Sequence, residues 1–320
     1  MMLLRMVQAG GPGYGQDMKQ ALLAAALAAF SLFGHSATAQ ERVTLGFARI
    51  FNNDAIGDTK DRWRTGSYSV SRFRADRWDG SLPATFGELL EVRLRAEIIA
   101  PESLTNPTPD RRYVGVIAPG IATHFDMGGF ETRVGMELVI TGPQTGVGRF
   151  QREIHKMFGF DRPTVLDSQI PDGFHPTLEA EIGRTFTLSD RLTVRPFVEA
   201  QAGVESFVRV GGDMVLGDFG RGGLFARDAV TGQRALGIER DVAQGFSLTL
   251  GGDVARMFDS QYLPSGGSAA LADSRSRLRA GVHWQGKRAA AFYGVTWLGK
   301  EYDTQPEGQV VGSMRVNLRF

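Results

Sequence analysis

A two-residue alternation, repeated from one end of the chain to the other, most constrains what this sequence can fold into. It is clearest where Leu90, Val92, Leu94, Ala96 and Ile98 alternate with Glu91, Arg93, Arg95 and Glu97. Successive side chains of a strand point to opposite faces, so one face here is apolar and the other charged. The same period marks residues 43–51, 63–74, 113–124, 130–141, 177–188, 192–201, 206–216, 246–258, 274–285, 289–302 and 310–320, which with 90–98 makes twelve segments. Many run to ten residues or more, against about five or six for an ordinary strand and ~9–11 for one that spans a membrane. A soluble β-sandwich would alternate too, and the two ends of the chain separate the readings.

At the N-terminus, Lys19-Gln20, an apolar core over 21–33, and Ala37-Thr38-Ala39 before Gln40 have the three parts of a secretory signal cut after Ala39. Met18 stands where such a signal begins. Residues 1–17 therefore read as an extension, and 1–39 are set apart from a mature segment, 40–320. At the other end, Met314, Val316, Leu318 and the terminal Phe320 alternate with Arg315, Asn317 and Arg319. An aromatic last residue on such a strand resembles the signal read by the bacterial barrel-assembly machinery. The expected fold is all-β: a monomeric transmembrane antiparallel β-barrel of twelve strands in the bacterial outer membrane, closed by 310–320 pairing with 43–51. An even count suits a single-chain barrel, whose closure satisfies every backbone group in lipid. The absence of Cys excludes thiol chemistry, and a formal charge of +1 gives no reason to expect a nucleic-acid partner.

One stretch breaks the pattern. Within 142–159, Val147, Phe150, Ile154, Met157 and Phe158 fall at i, i+3, i+7, i+10 and i+11, one stripe of an α-helix. Gly142-Pro143 opens it and Gly159 can end it. At about 100° per residue, Gln151 and His155 stack one turn apart on the border of the stripe. A helix packed on the barrel wall by its stripe would aim both at whatever it covers. With both termini periplasmic, parity puts the connections at 52–62, 100–112, 142–176, 202–205, 259–273 and 303–309 outside. Those at 75–86, 125–129, 189–191, 217–245 and 286–288 face the periplasm, where turns are normally short. The Gly-rich 217–245 is long for that side.

Four His follow the signal. Parity places His124 and His283 near periplasmic ends, and His175, beside Pro176 at a strand start, reads as structural. His155 has company: Asn53 and Asp54 in the first outer loop, and Thr65 as the next strand begins, lie on its rim. Asn and Asp at a strand end are ordinary turn formers. Together with a hydroxyl and an imidazole, a carboxylate and an amide can also bind a hard cation and activate water.

Asn53-Asp54, the run Asp61-Arg62-Trp63-Arg64-Thr65-Gly66, Gly142-Pro143 with Gln151-Arg152-Glu153-Ile154-His155, and Lys300-Glu301-Tyr302 together resemble the LpxR family of lipid A 3′-O-deacylases. The resemblance covers the mature chain in order. It implies an outer-membrane enzyme that acts on lipopolysaccharide and removes the 3′-linked acyloxyacyl chain of lipid A by calcium-dependent ester hydrolysis. It also implies that Asn53, Asp54, Thr65 and His155 are required, with Gln151 in support and Asp54 as a calcium ligand. The family's second outer loop carries a Lys, whereas 100–112 here offers Arg111 and Arg112. Two other readings compete: a non-catalytic pore or adhesin, and an outer-membrane phospholipase with a Ser nucleophile, for which no Gly-x-Ser-x-Gly is present.

Overall fold

The computed structural model describes residues 42–240, 243–267 and 269–318. The signal segment, its cleavage site and Phe320 lie outside the described residues. The alternating segments form strands β1 (Val43–Asn53), β2 (Trp63–Ala75), β3 (Leu89–Ala100), β4 (Val114–Asp126), β5 (Glu131–Thr141), β6 (Gly173–Gly183), β7 (Phe186–Ser189), β8 (Leu192–Ala202), β9 (Glu205–Leu216), β10 (Leu224–Arg227), β11 (Arg234–Ile238), β12 (Gly245–Ser260), β13 (Ser274–Gln285), β14 (Ala289–Leu298) and β15 (Gln309–Leu318). All but β7, β10 and β11 build one closed antiparallel barrel of 12 strands. β15 returns to β1 through Phe51↔Met314, Asn52↔Ser313 and Asn53↔Gly312, which closes the barrel at its outer end.

Two expected strands are corrected. The segment 177–188 begins earlier, at Gly173, and is broken after Gly183, its remainder forming the short β7 that pairs only with β8. The segment 289–302 stops at Leu298, where the chain turns over the barrel mouth and the Glu301 carboxylate meets Arg64 and Arg111.

The charged face of the alternation points inward. On β3, Glu91, Arg93, Arg95 and Glu97 are buried while Val92 and Leu94 are exposed to the outside, the reverse of a soluble sheet and the pattern lipid demands. The inward charges are multiply paired, as buried ions must be. Arg64 reaches Glu97 at 2.6 Å, Glu205 at 3.1 Å and Glu301 at 2.6 Å, and Arg279 reaches Asp213 at 2.6 Å and Asp253 at 2.5 Å.

The long connection 217–245 is not a loop left in the periplasm. Its hairpin, β10–β11, enters the lumen. Leu224, Ala226, Ala235 and Ile238 pack against Ala48, Ile50, Phe73 and Leu89, and Arg227 holds Glu181 at 2.6 Å and Asp213 at 2.8 Å. At the hairpin tip, Val230 packs on Leu298 and Val311, the outer ends of β14 and β15. The hairpin thus occupies the lumen and reaches toward its outer end.

Candidate active site at the outer rim

The site begins where β1 ends. Asn52 points inward and ties three strands together, donating to Ser67 Oγ at 2.8 Å and accepting from Ser313 Oγ at 2.6 Å. Asn53, one residue on, faces out. Its Oδ1 accepts from the Ala55 amide at 2.8 Å and caps the short 3₁₀ turn Asp54–Ile56, while its Nδ2 meets no acceptor among the described residues. The register lines up Asn53, Gly66, Ile98 and Gly115 in one cross-strand row on the outer face of the wall. Glycine keeps that row low. A Cβ on Gly66 would stand 3.3 Å from Asn53 Nδ2, and one on Gly115 only 2.9 Å from Thr145 Oγ1 and Val147 Cβ.

Over this row lies helix α1 (Val147–Phe158), entered and left through the left-handed Gly146 and Gly159. A small core outside the barrel, formed by Ala100, Leu104, Tyr113, Val165 and Leu166, supports it. The expected packing of its apolar stripe on the wall is corrected. The buried residues of α1 are Val147, Gly148, Gln151 and His155, whereas Phe150, Met157 and Phe158 are 63%, 74% and 64% exposed. The helix is rotated by roughly a quarter turn from the expected pose, at ~100° per residue. The wall beneath offers polar partners, and Gln151 and His155 turn toward them because buried polar groups must be hydrogen-bonded.

Those partners converge on Asp61. His155 Nε2 lies 3.0 Å from Asp61 Oδ2, and His155 Nδ1 lies 2.8 Å from the Asp161 carbonyl oxygen. Gln151 Nε2 approaches Asp61 Oδ1 at 3.4 Å. Thr65 Oγ1 sits 2.6 Å from Asp61 Oδ1 and 2.8 Å from Asp54 Oδ1, and its single proton can serve only one of them. Asp54 Oδ2 accepts from the Arg62 amide at 2.9 Å and from Gln309 Nε2 at 3.2 Å. Burial pushes the Asp54 carboxyl up to about 7, against the pull of the Arg62 amide and the Thr65 hydroxyl.

The structure therefore brings Asp54, Thr65, Gln151 and His155 into one chain of contacts, with Asn53 beside it, and the link between them is a residue the sequence reading did not single out. Asp61 stands in the quoted 61–66 run, four residues before Thr65. A bulge hides its role: from Trp63 to Gly66, β2 takes three steps where β3 takes two, from Ala100 to Ile98. The other His stand elsewhere. His175 contacts Thr141 Oγ1 at 3.2 Å, His124 pairs with Glu91 at 2.8 Å, and His283 stacks on Phe219 of the lumen segment.

A family model described as "Outer membrane protein LpxR" matches residues 22–320. The chain belongs to the LpxR family. Among solved structures, LpxR from Salmonella typhimurium matches with a TM-score of 0.71 at 15% identity, covering 86% of this chain and 100% of that one. The KdgM porin gives 0.38 at 7% identity (87% and 99% covered), and the NanC porin 0.41 at 5% (86% and 100%). No curated protein sequence matches. The chain is an integral outer-membrane barrel with the LpxR fold. In the second outer loop Arg111 is buried on Glu301, and Arg112 Nε donates to the Ser168 carbonyl at 3.0 Å.

The donor set fits the calcium ion the family implies. Among the described residues no three carboxylates or imidazoles form a ready-made cluster. The rim instead offers oxygen of several kinds: the carboxylates of Asp54 and Asp61, the Thr65 hydroxyl, and Gln151 Oε1, which is buried without a partner. Two carboxylates sharing one hydroxyl proton leave negative charge uncompensated, and a hard cation takes such oxygens together with backbone carbonyls.

Proposed function

We propose that this barrel is a calcium-dependent lipid A 3′-O-deacylase, hydrolysing the ester of the 3′-linked acyloxyacyl chain in the outer leaflet. One observation carries the reading. The imidazole, carboxylates and amide gather on the outer face of the wall, under a helix at the rim, on the side of the barrel that faces the membrane.

In this mechanism His155 Nδ1–H donates to the Asp161 carbonyl, which fixes the ring, and Nε2 is the basic atom once water replaces Asp61 Oδ2 as its neighbour. Nε2 takes a proton from water as the water oxygen attacks the 3′-ester carbonyl carbon. Asp61 Oδ2 stabilises the imidazolium that results. The tetrahedral oxyanion then collapses, the bond from the acyl carbon to the sugar oxygen breaks, and that oxygen takes the proton from Nε2. The products are a free fatty acid and a 3′-hydroxyl. Asn53 Nδ2 is the amide donor available to the oxyanion. Asp54, Asp61 and Gln151 Oε1 would hold the calcium ion, which when bound polarises the ester carbonyl.

The hairpin lodged in the lumen counts against the pore reading. Mass spectrometry of lipid A from cells with and without the protein tests the proposal: loss of the 3′-acyloxyacyl mass is expected, dependent on His155. Unaltered lipid A with a folded barrel would refute it.

A further inference from the structure

The rotation of α1 leaves its apolar stripe uncovered, and the chemistry of its surroundings points to what covers it. We infer that this flank inserts among the acyl chains of the outer leaflet, making α1 an interfacial membrane anchor at the mouth of the site. The inference rests on the outer-membrane barrel and not on the hydrolytic reading.

Phe150, Met157 and Phe158 are joined by Phe160, 62% exposed, whose ring stacks on Phe158 with centroids 6.1 Å apart. The opposite side of the helix is charged, with Arg149, Glu153 and Lys156 exposed and Arg152 half-buried. A helix with bulky apolar residues on one flank and mainly basic residues on the other is built to lie in the plane of an anionic membrane surface, its apolar side about 5–10 Å deep. Position agrees with composition. The start of α1 rests on Gly115, and below that row the outward residues of β3 and β4 include Leu94, Val92 and Ile121, all exposed to the outside. On β6, Phe174 is exposed and pairs with Ile140, in the outward row of Leu138 and Met136. The uncovered flank thus continues the lipid-facing band of the barrel. Exposed phenylalanines in water would have no such continuation.

The absence of Cys makes the test clean. Single substitutions Phe150→Cys, Met157→Cys and Phe158→Cys would each carry a bimane label. Leu138→Cys serves as the lipid-facing reference, and Arg149→Cys and Lys156→Cys as the water-facing ones. Each barrel, checked for folding by heat-modifiable gel mobility, is reconstituted in phosphatidylethanolamine–phosphatidylglycerol vesicles whose acyl chains carry bromine. Labels at 150, 157 and 158 are expected to lose roughly half their fluorescence or more, as at 138, because bromine reaches the depth of an interfacial flank. Labels at 149 and 156 should keep theirs and be quenched by aqueous iodide instead. The inference is overturned if 150, 157 and 158 follow the water-facing pair, or if they are shielded from both quenchers by a second copy, detected as energy transfer between labelled barrels. Met157, the most exposed of the three, makes no buried contact whose loss would unfold the barrel, so at least one position gives an answer.

Discussion

Replacing Asp54 by Asn separates an ion-binding carboxylate from a turn former by the sign of a stability change. In the metal-free barrel both oxygens of Asp54 are sealed, accepting from the Arg62 amide, Gln309 and Thr65, and burial raises the carboxyl from 3.8 to about 7. Between those values the folded protein holds a proton that the unfolded chain has released. Stability therefore falls as pH rises through that window and is flat above it. Holding the carboxyl at about 7 instead of 3.8 makes the ionised group cost on the order of 4 kcal/mol above neutral pH. An amide in place of the carboxylate keeps the size and most hydrogen bonds of the native side chain without its charge. In chelator at about pH 8, Asp54→Asn should stabilise the detergent-solubilised barrel against urea by up to ~4 kcal/mol and flatten the pH dependence below neutrality, and with calcium present it should abolish deacylation. A residue kept only for its hydrogen bonds predicts the opposite sign, a loss of about 1–3 kcal/mol. Equal or lower stability of the variant at that pH, with the wild-type pH slope retained, would refute the argument. Intrinsic Trp fluorescence and heat-modifiable mobility follow the unfolding.

His155→Ala should lower deacylation by about 10²–10⁴ with the fold intact, and Asp61→Asn, which removes the imidazolium's partner and a calcium ligand together, by a comparable factor; lipid A mass spectra quantify both. Gly115→Val places a side chain where a Cβ already stands 2.9 Å from Val147 Cβ, so α1 should be displaced and activity lost while the closed barrel keeps its gel mobility. Chelation should abolish deacylation and calcium, but not sodium, restore it; full activity in excess chelator would remove the ion from the mechanism. Intact-mass measurement of the exported protein should place its first residue at Gln40, and retention of residues 19–39 would contradict the signal assignment.

How much was legible depended on whether a pattern carries its own reference. Period two reports which side chains share a face, and Glu91, Arg93, Arg95 and Glu97 could be grouped from sequence; that this face is the inside follows only once lipid is known to lie on the other. The far end of α1 was legible for a local reason, since Gly159 takes a left-handed conformation there, whereas Gly142-Pro143 opens a separate 3₁₀ turn, Pro143–Thr145, and the helix itself starts after the left-handed Gly146. Its orientation was not. An apolar stripe points to the least polar surroundings, and for a helix at the rim of a membrane barrel these are the leaflet rather than a wall bearing Asp61 and Thr65. The lumen hairpin escaped because its four- and five-residue strands are too short to show a period, and its holding contacts, such as Arg227 with Glu181 and Asp213, join residues far apart in sequence. Asp61 was hidden by the one extra residue in β2. By strict alternation from the outward Gly66, Arg64 would also point outward, yet it enters the lumen to meet Glu97, Glu205 and Glu301. The bulge thereby frees Thr65 to face the rim, where it touches both Asp54 and Asp61. The same irregularity that defeats the sequence pattern assembles the candidate site, which is where bulges are expected to recur.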